Sequence, residues 1–202
     1  MMEERWTIII SVAAVAFILL LVLNIDRISG DPDIESIMSG LKTDTNFSDS
    51  GGTDPGADVR VVAFLDYDCP HCRAQYMQLK QLLSDHGEDV NVVFKHFPLQ
   101  DTRKAEAAEC ARAQGVFWKY SDLLFTKDDP NLVDAAVSVG LDSQSFERCL
   151  ASGEGKAQVM ADREEGLLYG VQGTPTMFIN DYEFQGTRPY AAIEEFVKNE
   201  IS

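Results

Sequence analysis

Residues 66–72 read Asp66-Tyr67-Asp68-Cys69-Pro70-His71-Cys72, a Cys-x-x-Cys pair that can close a small disulfide ring. The preceding residues Val59–Leu65 are almost all apolar and predict a buried strand, while Cys72–Leu83 carry apolar residues at helical spacing. The dithiol is therefore predicted at a corner where a strand ends and a helix begins. Pro70 suits the first helical position, because its φ is fixed and its missing N–H would be unpaired there.

Such a corner favours a negative charge on Cys69. The unpaired N–H groups and the positive end of the helix dipole lie at the helix start, so we expect a stabilised thiolate there. A protonated His71 would add to this effect, since its charge would lie beside the sulfur. A stable thiolate is a good leaving group, which makes the disulfide of the pair a stronger oxidant. Cys72 lies on the apolar side of the predicted helix and is expected to point inward.

The composition restricts the class of partner. The chain has 202 residues, with 33 acidic and 17 basic side chains and a net charge of −16. This length suits one globular domain plus an additional segment. So acidic a chain repels phosphate backbones, which argues against nucleic-acid binding.

The N-terminal region predicts a membrane anchor and a tether. No residue of Trp6–Ile25 is charged, and a helix of this length reaches roughly 30 Å, enough to cross a bilayer. A cleaved signal peptide is the alternative, but the small-x-small site Ala14-Val15-Ala16 is followed by further apolar residues as far as Leu23. We therefore expect a cytoplasmic terminus over residues 1–5, an uncleaved transmembrane anchor over 6–25 and a flexible linker over 26–57.

The folded domain is predicted over residues 58–202. A second strand is expected over Val90–Phe97, and the pattern then stays helical for about 70 residues, too long for a loop in a compact domain. Five insertion helices are predicted: Thr102–Gly115, Val116–Phe125, Asn131–Val139, Ser143–Ser152 and Glu154–Tyr169. Asn180-Asp181 is predicted to turn a hairpin, and Tyr190–Ile201 to form a last helix. The predicted class is α/β, a mixed four-stranded sheet with a helical insertion at about residues 101–170.

Three motifs carry a family resemblance. They are Phe64–Cys72 with its Cys-Pro-His-Cys, then Phe94-Lys95-His96-Phe97-Pro98-Leu99, then Gly173-Thr174-Pro175-Thr176. Together they resemble the thioredoxin-fold oxidoreductases of the DsbA family, over roughly Val59–Ile201. The resemblance implies a thioredoxin-like fold and a cis bond at Pro175, which would bring the Thr174 backbone beside Cys69 for strand pairing with a substrate peptide. A trans proline in a plain loop is the alternative, and Thr174 also resembles the isomerase-like members.

Proton handling departs from the family pattern. Many thioredoxin-fold enzymes place a buried acid six residues before the first cysteine, where this chain has Ala63. Lys95 resembles the lysine usually coupled to that acid, and we expect it to lack its acidic partner. Either Asp66 or Asp68 manages the proton through water, or the step runs without a dedicated base. Alternatively, both aspartates are solvated residues at the end of a strand.

The other two cysteines, Cys110 and Cys149, fall in predicted insertion helices. The resemblance implies a structural disulfide between them, with two separate buried thiols as the alternative. An even cysteine count with a membrane anchor favours an oxidising, extracytoplasmic compartment. The histidines His71, His86 and His96 lack zinc-site spacing, so we expect no metal and no organic cofactor.

These observations predict an extracytoplasmic thiol:disulfide oxidoreductase, anchored to the membrane by its N-terminal helix. Through Cys69 and Cys72 it would introduce disulfide bonds into reduced, unfolded secreted or membrane proteins. The family implies a membrane quinone reductase of the DsbB or VKOR type as the partner that reoxidises the pair. The alternatives are a disulfide isomerase or reductase, a reductant for cytochrome maturation, and a peptide-binding chaperone module without redox turnover.

Overall fold

The computed structural model describes residues 57–201. The predicted cytoplasmic terminus over 1–5, the anchor over 6–25 and the linker as far as residue 56 lie outside the described residues. Among the helices of residues 57–201, none combines the length and the apolar character that a membrane crossing requires.

A four-stranded mixed sheet forms the centre of the domain. Its strands are β1 (Val59–Leu65), β2 (Val90–His96), β3 (Thr176–Ile179) and β4 (Tyr182–Gln185), in the spatial order β2-β1-β3-β4. β1 runs parallel to β2 and antiparallel to β3, and β4 pairs antiparallel with β3. β1 and β3 are central and buried, whereas β4 is a largely exposed edge strand. The predicted sheet is confirmed.

Seven helices surround this sheet in the described part of the chain. Helix α1 (Pro70–His86) follows β1, and α7 (Tyr190–Ile201) closes the domain. The insertion between β2 and β3 contains α2 (Arg103–Arg112), α3 (Phe117–Thr126), α4 (Leu132–Ser138), α5 (Ser143–Ser152) and α6 (Glu154–Leu168). Gly153 has a φ of 74°, which only glycine adopts readily, and this lets α6 begin directly after α5 ends. The predicted helical insertion is confirmed.

The two faces of the sheet contact different helices. Ala63 pairs with Phe94 and Phe64 pairs with Lys95, and alternate strand residues face opposite sides. The side chains of Ala63 and Phe94 belong to the same core cluster as Cys72 and the buried residues of α2 and α3. Phe64 lies on the other face, where α6 approaches so closely that a Cβ on Gly166 would lie 3.0 Å from its ring. Lys95 therefore lies on the face opposite Cys72.

A disulfide joins two helices of the insertion, and aromatic contacts hold the insertion against α1 and the corner before it. A disulfide joins Cys110 in α2 to Cys149 in α5, with a Cα–Cα distance of 5.8 Å. The rings of Tyr67 and Tyr76 pack on Phe125 in α3, with centroid distances of 4.6 and 4.4 Å. Burial raises the pKa of both tyrosines, so their hydroxyls stay protonated at neutral pH. The corner before α1 thus rests on a rigid aromatic layer.

Candidate functional site

Cys69 occupies the position directly before helix α1. Its backbone is extended, with φ −93° and ψ 117°, and Pro70 follows as the first helical residue. The Cys69 N–H donates to the Asp66 carbonyl at 3.2 Å, and the Cys69 carbonyl accepts from Arg73 N–H at 3.1 Å. Cys69 is partly exposed and lies where unpaired N–H groups of the helix start are concentrated. The predicted strand-to-helix corner is therefore present.

The loop before β3 lies directly against the first sulfur. The Thr174–Pro175 peptide bond is cis, as the resemblance implied. Cys69 Sγ lies 3.6 Å from the Thr174 carbonyl oxygen, to which the thiol donates a weak hydrogen bond. Gly186 N–H donates to the Pro175 carbonyl at 2.8 Å, so the start of the next loop holds this turn in place. The geometry thus brings Thr174 and Pro175 together with Cys69.

Cys72 is fully buried, whereas Cys69 is partly exposed. Both cysteines are free thiols in this structure. Burial raises the pKa of the Cys72 thiol, and the hydrogen bond from the Asp66 N–H lowers it only in part. The Asp66 N–H lies 3.4 Å from Cys72 Sγ. Cys72 is therefore a protonated thiol at neutral pH.

The side chain of His71 is exposed at the surface of the corner. Its carbonyl accepts a hydrogen bond from Thr187 Oγ1 at 3.2 Å. One turn further, Gln75 Oε1 accepts from the Arg188 N–H at 2.8 Å. These two bonds tie the loop after β4 to the start of α1. The bond to the His71 carbonyl holds the backbone of this residue in place.

The two aspartates of the motif have different surroundings. Asp66 is 6 % exposed, and its carboxylate accepts the N–H groups of Asp68 and Leu99, each at 3.0 Å. The interpretation of Asp66 as a solvated residue at a strand end is therefore wrong, because this carboxylate joins two loops. Asp68 is exposed and forms an ion pair with Lys104. A role for either aspartate in proton transfer stays a prediction.

Lys95 lacks the acid that the family places at position 63, where this chain has Ala63, but it has two other acidic partners that the sequence did not predict. Its Nζ lies 3.3 Å from Asp162 Oδ1 and 2.9 Å from Glu165 Oε2, both in α6. The Asp162 carboxylate also accepts the His96 N–H at 3.0 Å. These groups lie on the sheet face that packs against α6, and the geometry does not bring Lys95 together with Cys72. Strand alternation places Phe94 beside Ala63 instead.

Two cavities meet at Cys69. One, of about 470 Å³, is lined by Asp66, Asp68, Cys69, Pro70, Leu99, Gln100 and Asp101. The other, of about 400 Å³, is lined by Tyr67, Asp68, Cys69, Pro70, Arg73, Lys104, Lys127, Asp128 and Asp129. Sequence reasoning missed its three cations, which come from α1, α2 and the residue after α3. Of the three cations, only Arg73 lies near the active-site cysteines in the sequence, one helical turn after Cys69. It is therefore the one that sequence spacing could have placed at this cavity.

The described residues 57–201 contain no group of three or more histidine, cysteine or acidic side chains arranged to hold a metal ion. The corner itself offers two sulfur atoms in different environments: one is accessible at a helix start, and the other is buried behind it.

Comparison with known sequences identifies related proteins. The family model Thioredoxin_4, described as thioredoxin, matches residues 52–199. The Na⁺/H⁺ antiporter NhaA 3 of Salinispora tropica is 36 % identical over 143 residues, which cover 66 % of this chain and 22 % of the antiporter. The chain thus spans less than a quarter of the length of this curated relative.

Solved structures with a similar backbone come from bacterial redox proteins. The thiol-disulfide exchange protein α-DsbA2 of Wolbachia pipientis superposes with a TM-score of 0.68 and 20 % identity, covering 85 % of this chain and 99 % of that protein. A periplasmic thioredoxin-like protein of Salmonella enterica serovar Typhimurium gives a TM-score of 0.59 and 25 % identity, covering 72 % of this chain and 85 % of that protein.

Proposed function

Because this chain belongs to the thioredoxin family and is a DsbA-like thiol-disulfide oxidoreductase, we propose that it introduces disulfide bonds into unfolded client proteins. The observation that supports this direction is the contrast between the two sulfurs of the active-site pair. Cys69 is accessible at the start of α1, whereas Cys72 is fully buried with a raised pKa. A helix start stabilises an anionic sulfur, and stabilising the reduced form strengthens the oxidant.

In the first step a client thiolate attacks Cys69 Sγ of the oxidised pair. A bond forms between the client sulfur and Cys69, the Cys69–Cys72 bond breaks, and its electron pair moves to the Cys72 sulfur. Cys72 then takes up a proton, because burial holds its pKa above neutral pH. The client is now attached to the exposed member of the pair.

In the second step another thiolate of the client attacks the client sulfur of the mixed disulfide. A disulfide forms within the client, and Cys69 leaves with the electron pair. The client has lost two electrons, and the protein has gained them as the Cys72 thiol and the Cys69 thiolate; of the two protons that the client thiols released, Cys72 takes up one and the solvent keeps the other. The position of Cys69 before α1 favours this departure, since the helix start stabilises the leaving thiolate.

The loop at Thr174 and Pro175 is the proposed place where the client backbone binds. Thr174 has its carbonyl oxygen 3.6 Å from Cys69 Sγ, so a peptide that pairs with this loop as an extra strand would present its cysteine to that sulfur. The cis bond at Pro175 belongs to this turn.

The proposed setting is the extracytoplasmic side of a membrane, with residues 6–25 as the anchor. The related Salmonella protein is periplasmic, and the disulfide between Cys110 and Cys149 suits an oxidising compartment. The proposed clients are reduced secreted or membrane proteins. Continued turnover requires an acceptor for the two electrons, and we propose a membrane quinone reductase of the DsbB or VKOR type for this step.

The redox potential of the Cys69–Cys72 pair tests the direction. The purified full chain is equilibrated with graded ratios of reduced and oxidised glutathione, and the dithiol fraction is measured by alkylation. We expect a potential well above the roughly −270 mV of thioredoxin and towards the roughly −120 mV of DsbA. A potential near that of thioredoxin would contradict the oxidant proposal and favour a reductase.

A second assay on the same preparation distinguishes an oxidant from a disulfide isomerase. A scrambled client is incubated with the reduced form, and a reduced client with the oxidised form. The oxidant proposal expects faster turnover of the reduced client, whereas an isomerase would repair the scrambled client faster. Cys69→Ser serves as the control in both assays, and activity retained by this variant would favour a chaperone module.

A further inference from the structure

The residue before the reactive cysteine carries a negative charge. Asp68 is exposed and adjoins Cys69 in the chain, and the two residues line both cavities of the corner. A carboxylate beside a sulfur disfavours the thiolate, because like charges repel. The start of α1 has the opposite effect, since it favours an anion at the same sulfur. Cys69 is therefore exposed to two opposed electrostatic influences.

An ion pair from the helical insertion neutralises the Asp68 carboxylate. Lys104 in α2 lies 36 positions further along the chain and contacts Asp68 Oδ1 through its Nζ. The side chain of Lys104 is only 19 % exposed, whereas that of Asp68 is 46 % exposed. Solvent and salt screen a partly buried ammonium less than an exposed one, so this cation acts strongly on the charge beside it.

The other charges of the cavity of about 400 Å³ do not replace Lys104 in this role. The lining contains three cations and three aspartates, which are Arg73, Lys104, Lys127, Asp68, Asp128 and Asp129. The lining therefore carries no net charge. Arg73 is engaged by Asp128 at 2.8 Å, and the guanidinium holds the pKa of that exposed carboxyl below its usual range. Lys127 and Asp129 are exposed and contribute opposite charges.

We propose that Lys104 sets the redox potential of the Cys69–Cys72 pair by neutralising Asp68. Lys104 is thus a positioning residue that acts on Cys69 through the Asp68 carboxylate. With the ion pair formed, the helix start controls the stability of the thiolate. Without it, the charge of Asp68 would disfavour the Cys69 thiolate, which destabilises the reduced form and makes the disulfide a weaker oxidant. The inference goes beyond the proposed function, because it holds for either direction of electron flow.

The test is a double-mutant cycle on the full chain, measured as the equilibrium with glutathione at pH 7. In this exchange the dithiol gives two electrons and two protons to one glutathione disulfide, and two glutathione thiols form. Lys104→Met should shift the equilibrium constant roughly threefold towards the protein disulfide, the size expected for one partly exposed charge. Asp68→Asn should shift it roughly threefold towards the dithiol. A threefold shift corresponds to about 14 mV.

The opposite signs of the two shifts separate a charge effect from a structural one. If Lys104 served only to tie α2 to the corner, either change would break the same ion pair, and both would shift the equilibrium in the same direction. The double variant Asp68→Asn with Lys104→Met lacks both charges and should lie between the two single variants. Salt at about 1 M should reduce both shifts, because it screens exposed charges.

Two control variants accompany the cycle. Lys104→Arg retains the cation, so its equilibrium constant should stay close to that of the unaltered protein. Lys80→Met breaks a comparable ion pair with Asp122 that also joins the insertion to α1, outside both cavities, and should leave the constant unchanged. Should melting curves show that Lys104→Met is unfolded, Lys104→Gln removes the same charge and takes its place in the cycle.

Failure of the inference and failure of the proposed function give different results. The absolute potential of the unaltered protein tests the proposed function, whereas the differences between variants test the role of Lys104. Shifts of the same sign, the absence of a shift in either single variant, or an equal shift in Lys80→Met would overturn that role, even in a strong oxidant. Opposite shifts around a potential near that of thioredoxin would support the role of Lys104 and overturn the oxidant proposal.

Discussion

Cys69 and Cys72 lie within one turn at the start of α1 and are free, whereas Cys110 and Cys149 join two helices across 39 residues and are bonded. A link within one helical turn restricts the unfolded chain little. A link between distant helices removes much more of its conformational freedom. The same residue type therefore serves exchange chemistry in one region and stability in the other. The difference follows from where each pair lies in the fold.

The assignment of exchange chemistry to the first pair requires that the client thiolate attacks Cys69. Cys69→Ser should reduce client oxidation by more than about 1000-fold, since a hydroxyl cannot form the mixed disulfide. The free energy of unfolding of the reduced protein should change by less than about 1 kcal/mol, because the side chain is partly exposed. Oxidation of a reduced client protein, measured beside urea unfolding, checks both.

The matched control for this change is Cys72→Ser. Its Cys69 thiolate should still attack a client that already carries a disulfide and form a mixed disulfide with it, but no internal disulfide can then release the client. Residual client oxidation by Cys69→Ser at a rate near that of the unaltered protein would contradict the assignment of the exposed sulfur.

The second pair is tested by its effect on stability. The double change Cys110→Ala and Cys149→Ala should lower the free energy of unfolding by roughly 4 kcal/mol, from loop closure across 39 residues. The redox potential of the Cys69–Cys72 pair should stay the same, since the bond joins α2 and α5. Urea unfolding under non-reducing conditions and the glutathione equilibrium measure the two effects.

If this double variant kept its fold but lost exchange activity, the disulfide between Cys110 and Cys149 would serve the reaction as well as stability, and the two pairs would not have separate roles. The same unfolding experiment on the unaltered protein in strong reductant provides an independent estimate. It should give a similar loss of stability, because it opens the same bond without changing a side chain.

The buried ion pair of Lys95 and Asp162 tests whether the sheet face opposite Cys72 contributes to stability and not to exchange. Lys95→Met leaves the Asp162 carboxylate buried without its cation, which should cost roughly 3 kcal/mol of unfolding free energy. The rate of client oxidation and its pH dependence should not change, because this pair lies opposite Cys72. Urea unfolding and the exchange rate between pH 6 and 9 check the two parts.

Lys80→Met is the matched control for the buried pair. Lys80 pairs with Asp122, and both side chains are about two-fifths exposed, so its loss should cost less than about 1 kcal/mol. If Lys95→Met changed the pH dependence of exchange, Lys95 would belong to proton handling after all.

Local patterns in the sequence were sufficient for most of the fold. Each predicted element depended on neighbouring residues, and the observed β1, α5 and α7 have the bounds that the patterns predicted. Helix α1 begins at Pro70 and ends at His86, earlier and later than the predicted Cys72–Leu83. The strand-to-helix corner could also be predicted from neighbouring residues, because Pro70 and the preceding apolar run define it.

Contacts between distant segments were not predictable in this way. The acids that pair with Lys95 lie about 70 residues further along the chain, in α6, and no spacing rule connects them to β2. The cavity of about 400 Å³ beside Cys69 combines residues of α1, α2 and the segment after α3. The acidic partners of Lys95 were missed because a sequence shows which residues are charged but not which helix covers them.

The smallest expected effect concerns the two sulfurs within the active-site pair. Burial raises the pKa of the Cys72 thiol, so at pH values below that pKa its thiolate fraction rises about tenfold per pH unit. Attack by Cys72 on a mixed disulfide at Cys69 requires this thiolate. The release of a client with a single cysteine should therefore accelerate about tenfold for each pH unit between pH 6 and 8, without reaching a plateau.

The measurement uses a fluorescent peptide with one cysteine, bound to Cys69 and released as Cys72 closes the internal disulfide. Cys72→Ala should hold the peptide at every pH, which shows that release depends on that thiol. A plateau below pH 7 would mean that a nearby base removes the proton from Cys72 despite its burial. In that case Asp66, whose N–H donates to the Cys72 sulfur, becomes the first residue to change, and Asp66→Asn should remove the plateau.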